Sequence, residues 1–162
     1  MNFDRATLDR MYGYCLALCN DPGAACDLLQ DALEKYLREP RPGVANPAGY
    51  ICRTARNHFF DQQRRAGIAP FEPLDNPDLY AGTERALESA VIDQFTLEQL
   101  WPRFTPTERE ALYLWAVEEM TAAEIADHLQ QPRATILSRL RRARARVQAD
   151  GDGRYRQGGR DD

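Results

Sequence analysis

The sequence has no apolar run near the roughly 18 residues that a membrane span needs. Its start, MNFDRATLDRMYGY, carries acids and tyrosines where a signal peptide would place an apolar stretch. Both absences predict a cytoplasmic protein without a membrane span. No segment sustains the alternation of β-branched or aromatic with polar residues that marks a strand, which excludes a sheet-based fold. There is no glycine-rich phosphate loop, and the two histidines, His58 and His128, stand in helical segments without a paired nucleophile. No catalytic constellation is assembled and no cofactor is implied, so the chain is not expected to be an enzyme. The four cysteines, at 15, 19, 26 and 52, include no CxxC pair, and no HxxxH accompanies them. All four fall at or beside core-like positions, so they are expected to be buried, reduced thiols rather than metal ligands. A basic surplus is missing too: the net charge of −4 weighs against a simple nucleic-acid binder.

What charge there is lies unevenly. Residues 131–146 carry six arginines and no acid, whereas residues 66–100 carry seven acids and one arginine. This asymmetry points to an anionic partner at one place and a different partner elsewhere.

Helical periodicity recurs along the chain. Leu8, Met11, Tyr12, Cys15 and Leu18 follow the spacing of one helix face, as do Ala25, Leu28, Leu29, Ala32, Leu33 and Tyr36, and then Ile51, Ala55, His58, Phe59 and Gln62. On that last face His58 reads as a core histidine. Asp21-Pro22 and Asn46-Pro47 each set a capping side chain before a proline suited to the first helical position. Thr105-Pro106-Thr107-Glu108 and Thr121-Ala122-Ala123-Glu124 have the form of capping boxes. The expectation is an all-α protein of two small helical domains joined by a flexible linker. The first spans 1–65. The proline-interrupted stretch 66–82 is the linker. A helix resumes near Thr83 and runs to Trp101, opening a second domain over 83–149. The tail at 150–162 has almost no apolar content and reads as disordered.

In the second domain a short capped helix (121–129), the turn QQP and a basic helix (133–148) form a helix-turn-helix pattern, whose second helix enters the major groove of DNA. Ile136, Leu140, Ala143 and Val147 share one side, to pack on Ile125, Ala126 and Leu129. Ala134, Ser138, Arg141 and Arg142 lie opposite, flanked by Thr135, Arg139 and Arg146 on one edge and Arg144 on the other. Arginine suits guanine edges and phosphates, and serine or threonine suits either. A solvated basic face is the plainer reading. Against it, six arginines repel one another along a helix, a cost that a polyanion removes.

In the first domain, Arg53, Arg56, Asn57, Phe60 and Arg64 cluster on the polar side of the helix over 47–65. Charge for phosphates, a ring for stacking and an amide for a base edge are what single-stranded DNA binding requires. Asp27, Gln30, Asp31 and Glu34 form an outward stripe on the preceding helix. That stripe fits solvated surface and a docking face for a basic partner equally well.

Both halves resemble one family. DLLQDALEKYLR (27–38) with NPAGYICRTARNHFFDQQRR (46–65) is similar to region 2 of bacterial RNA polymerase sigma factors, and the stretch 104–147 is similar to region 4. The two in this order resemble the extracytoplasmic-function type. The resemblance implies that Asp27, Gln30 and Asp31, with Glu34 beside them, dock on the β′ clamp of core polymerase. It implies that Tyr50, Arg53, Arg56 and Asn57, with Phe60 and Arg64, engage the melted −10 element, Asn57 capturing a flipped base. Thr135, Ser138, Arg139 and Arg142, with Arg133 and Arg141, match the −35-reading helix. The implied partners are promoter DNA and core RNA polymerase (β′ clamp and β flap), with an anti-sigma factor as a further candidate. The sequence departs from the family at Leu137, commonly basic, and at Gln130 and Ala134, commonly glycine. A stand-alone helix-turn-helix regulator is the alternative, and a helical interaction adaptor a third class.

Overall fold

The structure, a computed structural model, describes residues 3–39, 41–68 and 100–157. Most of the expected linker, and the helix expected from Thr83, lie outside these residues. The described residues are helical and contain no strand. Packing divides the chain into two compact units, Met1–Glu72 and Pro73–Asp162.

The first unit holds α1 (Arg5–Cys19), α2 (Pro22–Arg38) and α3 (Pro47–Arg65). Each starts where a side chain takes up the amides that a helix leaves unbonded. Asp4 accepts from the Thr7 N–H at 2.8 Å, and hydrogen bonding with the Thr7 side chain, then with its N–H, lowers the Asp4 carboxyl from its usual value. Asp21 accepts from Gly23 at 2.8 Å and Ala24 at 3.2 Å, and Asn46 accepts from Gly49 at 3.0 Å. Pro22 and Pro47 occupy the first helical positions, where a missing N–H costs nothing. At the far end of α3, Gly67 has φ +74°, and the Ile68 N–H returns to the Gln63 carbonyl at 3.0 Å. Such a left-handed stop suits glycine.

The three helices pack each against the other two. Met11, Cys15 and Leu18 of α1, Ala25, Leu28 and Ala32 of α2, and Ile51, Ala55 and Phe59 of α3 form the core. Several expected core positions are corrected. Leu8, in the first turn of α1, is exposed, and Tyr14 is buried in place of Tyr12. His58 is exposed, with 46 % of its side chain in solvent, because α3 needs only Ile51, Ala55 and Phe59 to fill its buried face. The cysteines are free thiols, but only Cys15 is fully buried. Cys19 and Cys52 are half-buried, and Cys26 is exposed on the outer side of α2.

The second unit opens with a 3₁₀ turn at Trp101–Arg103, followed by α4 (Pro106–Ala116), α5 (Ala122–Leu129) and α6 (Arg133–Gln157). Both capping boxes form. Thr105 Oγ1 accepts from the Glu108 N–H while Glu108 Oε2 accepts from the Thr105 N–H, and Thr121 and Glu124 do the same. Gln130 ends α5 in the left-handed region at φ 53°, and the Gln131 N–H returns to the Ala126 carbonyl at 3.0 Å. The last helix differs from expectation: α6 continues to Gln157, past Val147 where the apolar spacing ends, into the tail expected to be disordered. An established helix extends at little cost per residue even through polar sequence. Ile125, Ile136, Leu140 and Ala143 are buried where α5 and α6 meet.

Candidate nucleic-acid interface

Residues of α2 and α3 build the candidate site of the first unit. Asp27, Gln30, Asp31 and Glu34 are all exposed, one turn above another on the outer side of α2. Asp31 Oδ2 stands 3.8 Å from Nε2 of His58, and Glu34 pairs with Arg38 at 3.6 Å. At these exposures such pairs stabilise little. The stripe therefore remains available to a cationic partner.

On α3, Arg53 and Asn57 are exposed, whereas Tyr50, Arg56 and Phe60 are half-buried. The Arg56 guanidinium lies over the Phe60 ring at 4.8 Å, and Phe60 meets Phe59 edge-on at 5.2 Å. Phe60 is thus anchored against the core residue Phe59 while its ring carries a cation. This assembly can offer both stacking and phosphate contact. Tyr50 is held in a similar way, 5.8 Å from Tyr36 and with Arg41 at 5.7 Å above its ring. Arg64 is paired with Asp61, one turn away on the same helix. The sequence reading had not placed Arg41, Asp61 or His58 beside these residues. Arg41 lies in the α2–α3 loop, where helical periodicity gives no position.

In the second unit, α5, its turn and α6 form the helix-turn-helix. Arg133 and Ala134 are exposed, Thr135, Arg141 and Arg142 are half-buried, and Ser138 and Arg139 are buried. The expected outward placement of Ser138 is therefore corrected. The wheel assumed one buried stripe, but α6 packs on both α4 and α5 and buries a wider arc. Arg139 NH1 donates to Gln131 Oε1 at 2.5 Å, and Arg142 NH1 donates to Ser138 Oγ at 2.8 Å. Arg142 Nε also lies 3.5 Å from Glu108 Oε1, and Arg146 is bonded to Glu108 Oε2. Leu137 is buried (5 % exposed), so at this position the chain has a covered apolar side chain where the family commonly has a basic one. Glu108 was read from sequence only as a capping residue. The arginines it holds lie far along the chain, and local spacing does not reveal them.

Among the described residues no group of histidine, cysteine or acidic side chains could hold a metal ion. Nor is any helix there long and apolar enough to cross a membrane.

Among the described residues, a three-helix unit with acidic and arginine-aromatic faces and a second unit with a basic helix-turn-helix have the form of a bipartite transcription factor. Residues 3–68 match the family model described as Sigma-70 region 2, and residues 96–147 match Sigma-70, region 4. Together these span well over half of the chain, which belongs to the sigma-70 family as a sigma factor of the extracytoplasmic-function type. Sigma factors bind core RNA polymerase and direct it to promoters, and they are not known as enzymes. The fold is similar to that of the sigma factor RpoE from Bartonella quintana, solved in complex with the anti-sigma factor NepR. The two share 21 % sequence identity with a TM-score of 0.58, over 89 % of this chain and 91 % of that one.

Proposed function

We propose that the chain divides promoter recognition among three helix faces. The stripe Asp27, Gln30, Asp31 and Glu34 docks on the β′ clamp of core polymerase. Tyr50, Arg53, Arg56, Asn57, Phe60 and Arg64 of α3 hold the melted −10 strand. Arg133, Thr135, Arg141 and Arg142 of α6 read the −35 duplex, with the second unit positioned by the β flap; Ser138 and Arg139, both buried, support that surface from beneath through their bonds to Arg142 and Gln131. Melting then rests on binding energy: unstacking a base costs a few kcal/mol, which stacking on Phe60 or Tyr50 and hydrogen bonds to Asn57 offset.

The observation that carries this reading is the first unit. It exposes an acidic stripe on α2 next to a helix whose Arg56 guanidinium stacks over Phe60 at 4.8 Å. A duplex-binding regulator has no use for that pair of faces. The site of action is the cytoplasm, where the polymerase is. Because the similar RpoE structure holds an anti-sigma factor, a protein that covers these faces is a candidate regulator.

Co-purification with core polymerase, followed by run-off transcription from a promoter library, tests the proposal. Stable association and promoter-dependent transcripts are expected. Tight binding of duplex DNA without core association would favour a stand-alone regulator instead.

A further inference from the structure

Glu108 is the one acid that meets the basic arc of α6 in the contacts described above. Its side chain is 2 % exposed, and its carboxylate serves three donors. Oε2 accepts from the Thr105 N–H at 3.2 Å, closing the capping box at the start of α4. The same oxygen receives Arg146 NH1, while Oε1 faces Arg142 Nε at 3.5 Å. Arg142 is held from a second side by Ser138 Oγ at 2.8 Å, and the Arg146 guanidinium lies 5.9 Å over the Phe104 ring. Ser138, Arg142 and Arg146 are spaced by four, so they rise up one side of α6. Across from them stands the buried Glu108 carboxylate, fixed by its own helix cap.

A capping box requires only that the glutamate reach back to its own helix start, and many such glutamates lie in solvent. Glu124, the partner of Thr121 in the other box, is exposed. Glu108 is not. Burying a carboxylate is unfavourable unless its charge and lone pairs are met, and here two guanidiniums meet them. This arrangement fixes side chains that would otherwise be long and mobile, reducing the conformational entropy that each must lose on meeting DNA. A binding constellation is held in this way when a supporting layer locks its rotamers.

We propose that Glu108 is a positioning residue for −35 recognition, orienting Arg142 and Arg146 on the duplex-facing flank of α6. The role rests on the reading of α6 as the duplex-binding helix. It adds Arg146 to the arginines available there and makes α4, which contacts no base in this reading, part of specificity. Glu108→Gln keeps the shape and the hydrogen bond to the Thr105 amide, but it removes the charge that holds both guanidiniums.

The test is a double-mutant cycle in the intact 162-residue chain. The probe is a labelled duplex carrying the sequence that the wild-type chain selects from a randomised pool. Affinity is measured by anisotropy well below the melting temperature of each variant. Glu108→Gln is expected to weaken binding about tenfold in the wild-type background and less than about threefold in Arg142→Ala, as for residues that act through one another. A folded Glu108→Gln protein with wild-type affinity would overturn the proposal, and so would an equal loss in both backgrounds. If Glu108→Gln does not fold, Glu108→Asp takes its place. It keeps the buried charge but draws it back from the arginines, and the same background dependence is expected. Failure of the wild type to select any duplex would overturn the reading of α6 itself, an outcome distinct from a flat cycle.

Discussion

At Gln130 the chain takes φ 53° and ψ 49°, a conformation that costs a residue with a Cβ roughly 1–2 kcal/mol and glycine little. The turn needs that geometry to bring the Gln131 amide back to Ala126 and to start α6 after only three intervening residues. Gln130→Gly should therefore stabilise the unit by about 0.5–1 kcal/mol, less than the full cost because glycine also loosens the unfolded chain. A thermal melt should show a midpoint a few degrees higher, and a midpoint at or below the wild type's would contradict the strain argument. Cys15 presents a different single-residue effect. Burial, and then the neighbouring Cys52 and Cys19, push its thiol from the ordinary value of 9.0 up to about 12. Between those values the folded chain keeps a proton that the unfolded chain releases. The stability this thiol contributes is complete below pH 9 and is lost as the pH rises toward 12, by no more than about 1.4 kcal/mol per pH unit. Wild type should thus lose melting temperature faster than Cys15→Ala across pH 9–11. Parallel curves would mean that the thiol titrates alike in both states.

At the scale of the element, legibility depended on how local the cause was. Asp21, Asn46, Thr105 and Thr121 announced helix starts because a cap is a contact between residues two or three apart. Faces were harder to read. The spacing that puts His58 beside the apolar stripe of α3 does not say how wide that stripe must be, and three residues sufficed. On α6 the wheel supplied the direction of Ile136 and Leu140 but not the number of neighbouring helices. Ser138 was therefore placed outward and lies inside. The Glu108–Arg146 contact spans 38 positions of sequence and has no local signature. The α3 surface is the intermediate case: its arginines and Phe60 were legible as a cluster, while the stack of Arg56 on Phe60 was not. That stack gives a prediction for the helix. Phe60→Ala, in complex with core polymerase, should weaken binding of a single-stranded −10 oligonucleotide by about 1–3 kcal/mol, the worth of one stacked base, and leave duplex affinity unchanged. Equal losses on both probes would mean that Phe60 supports the fold instead of holding a base.

For the molecule as a whole, the net charge of −4 is a constraint that a sigma factor meets by separating its charges. In the proposed division of labour the six arginines over 131–146 serve a polyanion, and the exposed acids of α2 serve a protein. All but one of the 21 basic residues are arginine, Lys35 being the exception, so nearly every cation can form paired hydrogen bonds or stack on a ring. If the two charge systems are independent, they can be inactivated one at a time. Asp27→Lys with Asp31→Lys reverses two neighbouring charges of the stripe without touching α6. Both side chains are exposed and Asp31 loses only a long contact to His58, so the fold should survive and a melt should show little change. Affinity for core polymerase should fall by tenfold or more, since facing like charges across an interface cost several kcal/mol. The affinity of the free chain for a −35 duplex should stay the same or rise slightly, because any long-range effect of two acids replaced by two cations favours DNA. Run-off transcription should disappear along with core binding. A variant that keeps its fold but loses duplex and core binding together would show that the acidic stripe and the basic helix act as one surface, and the division of labour proposed for them would have to be abandoned.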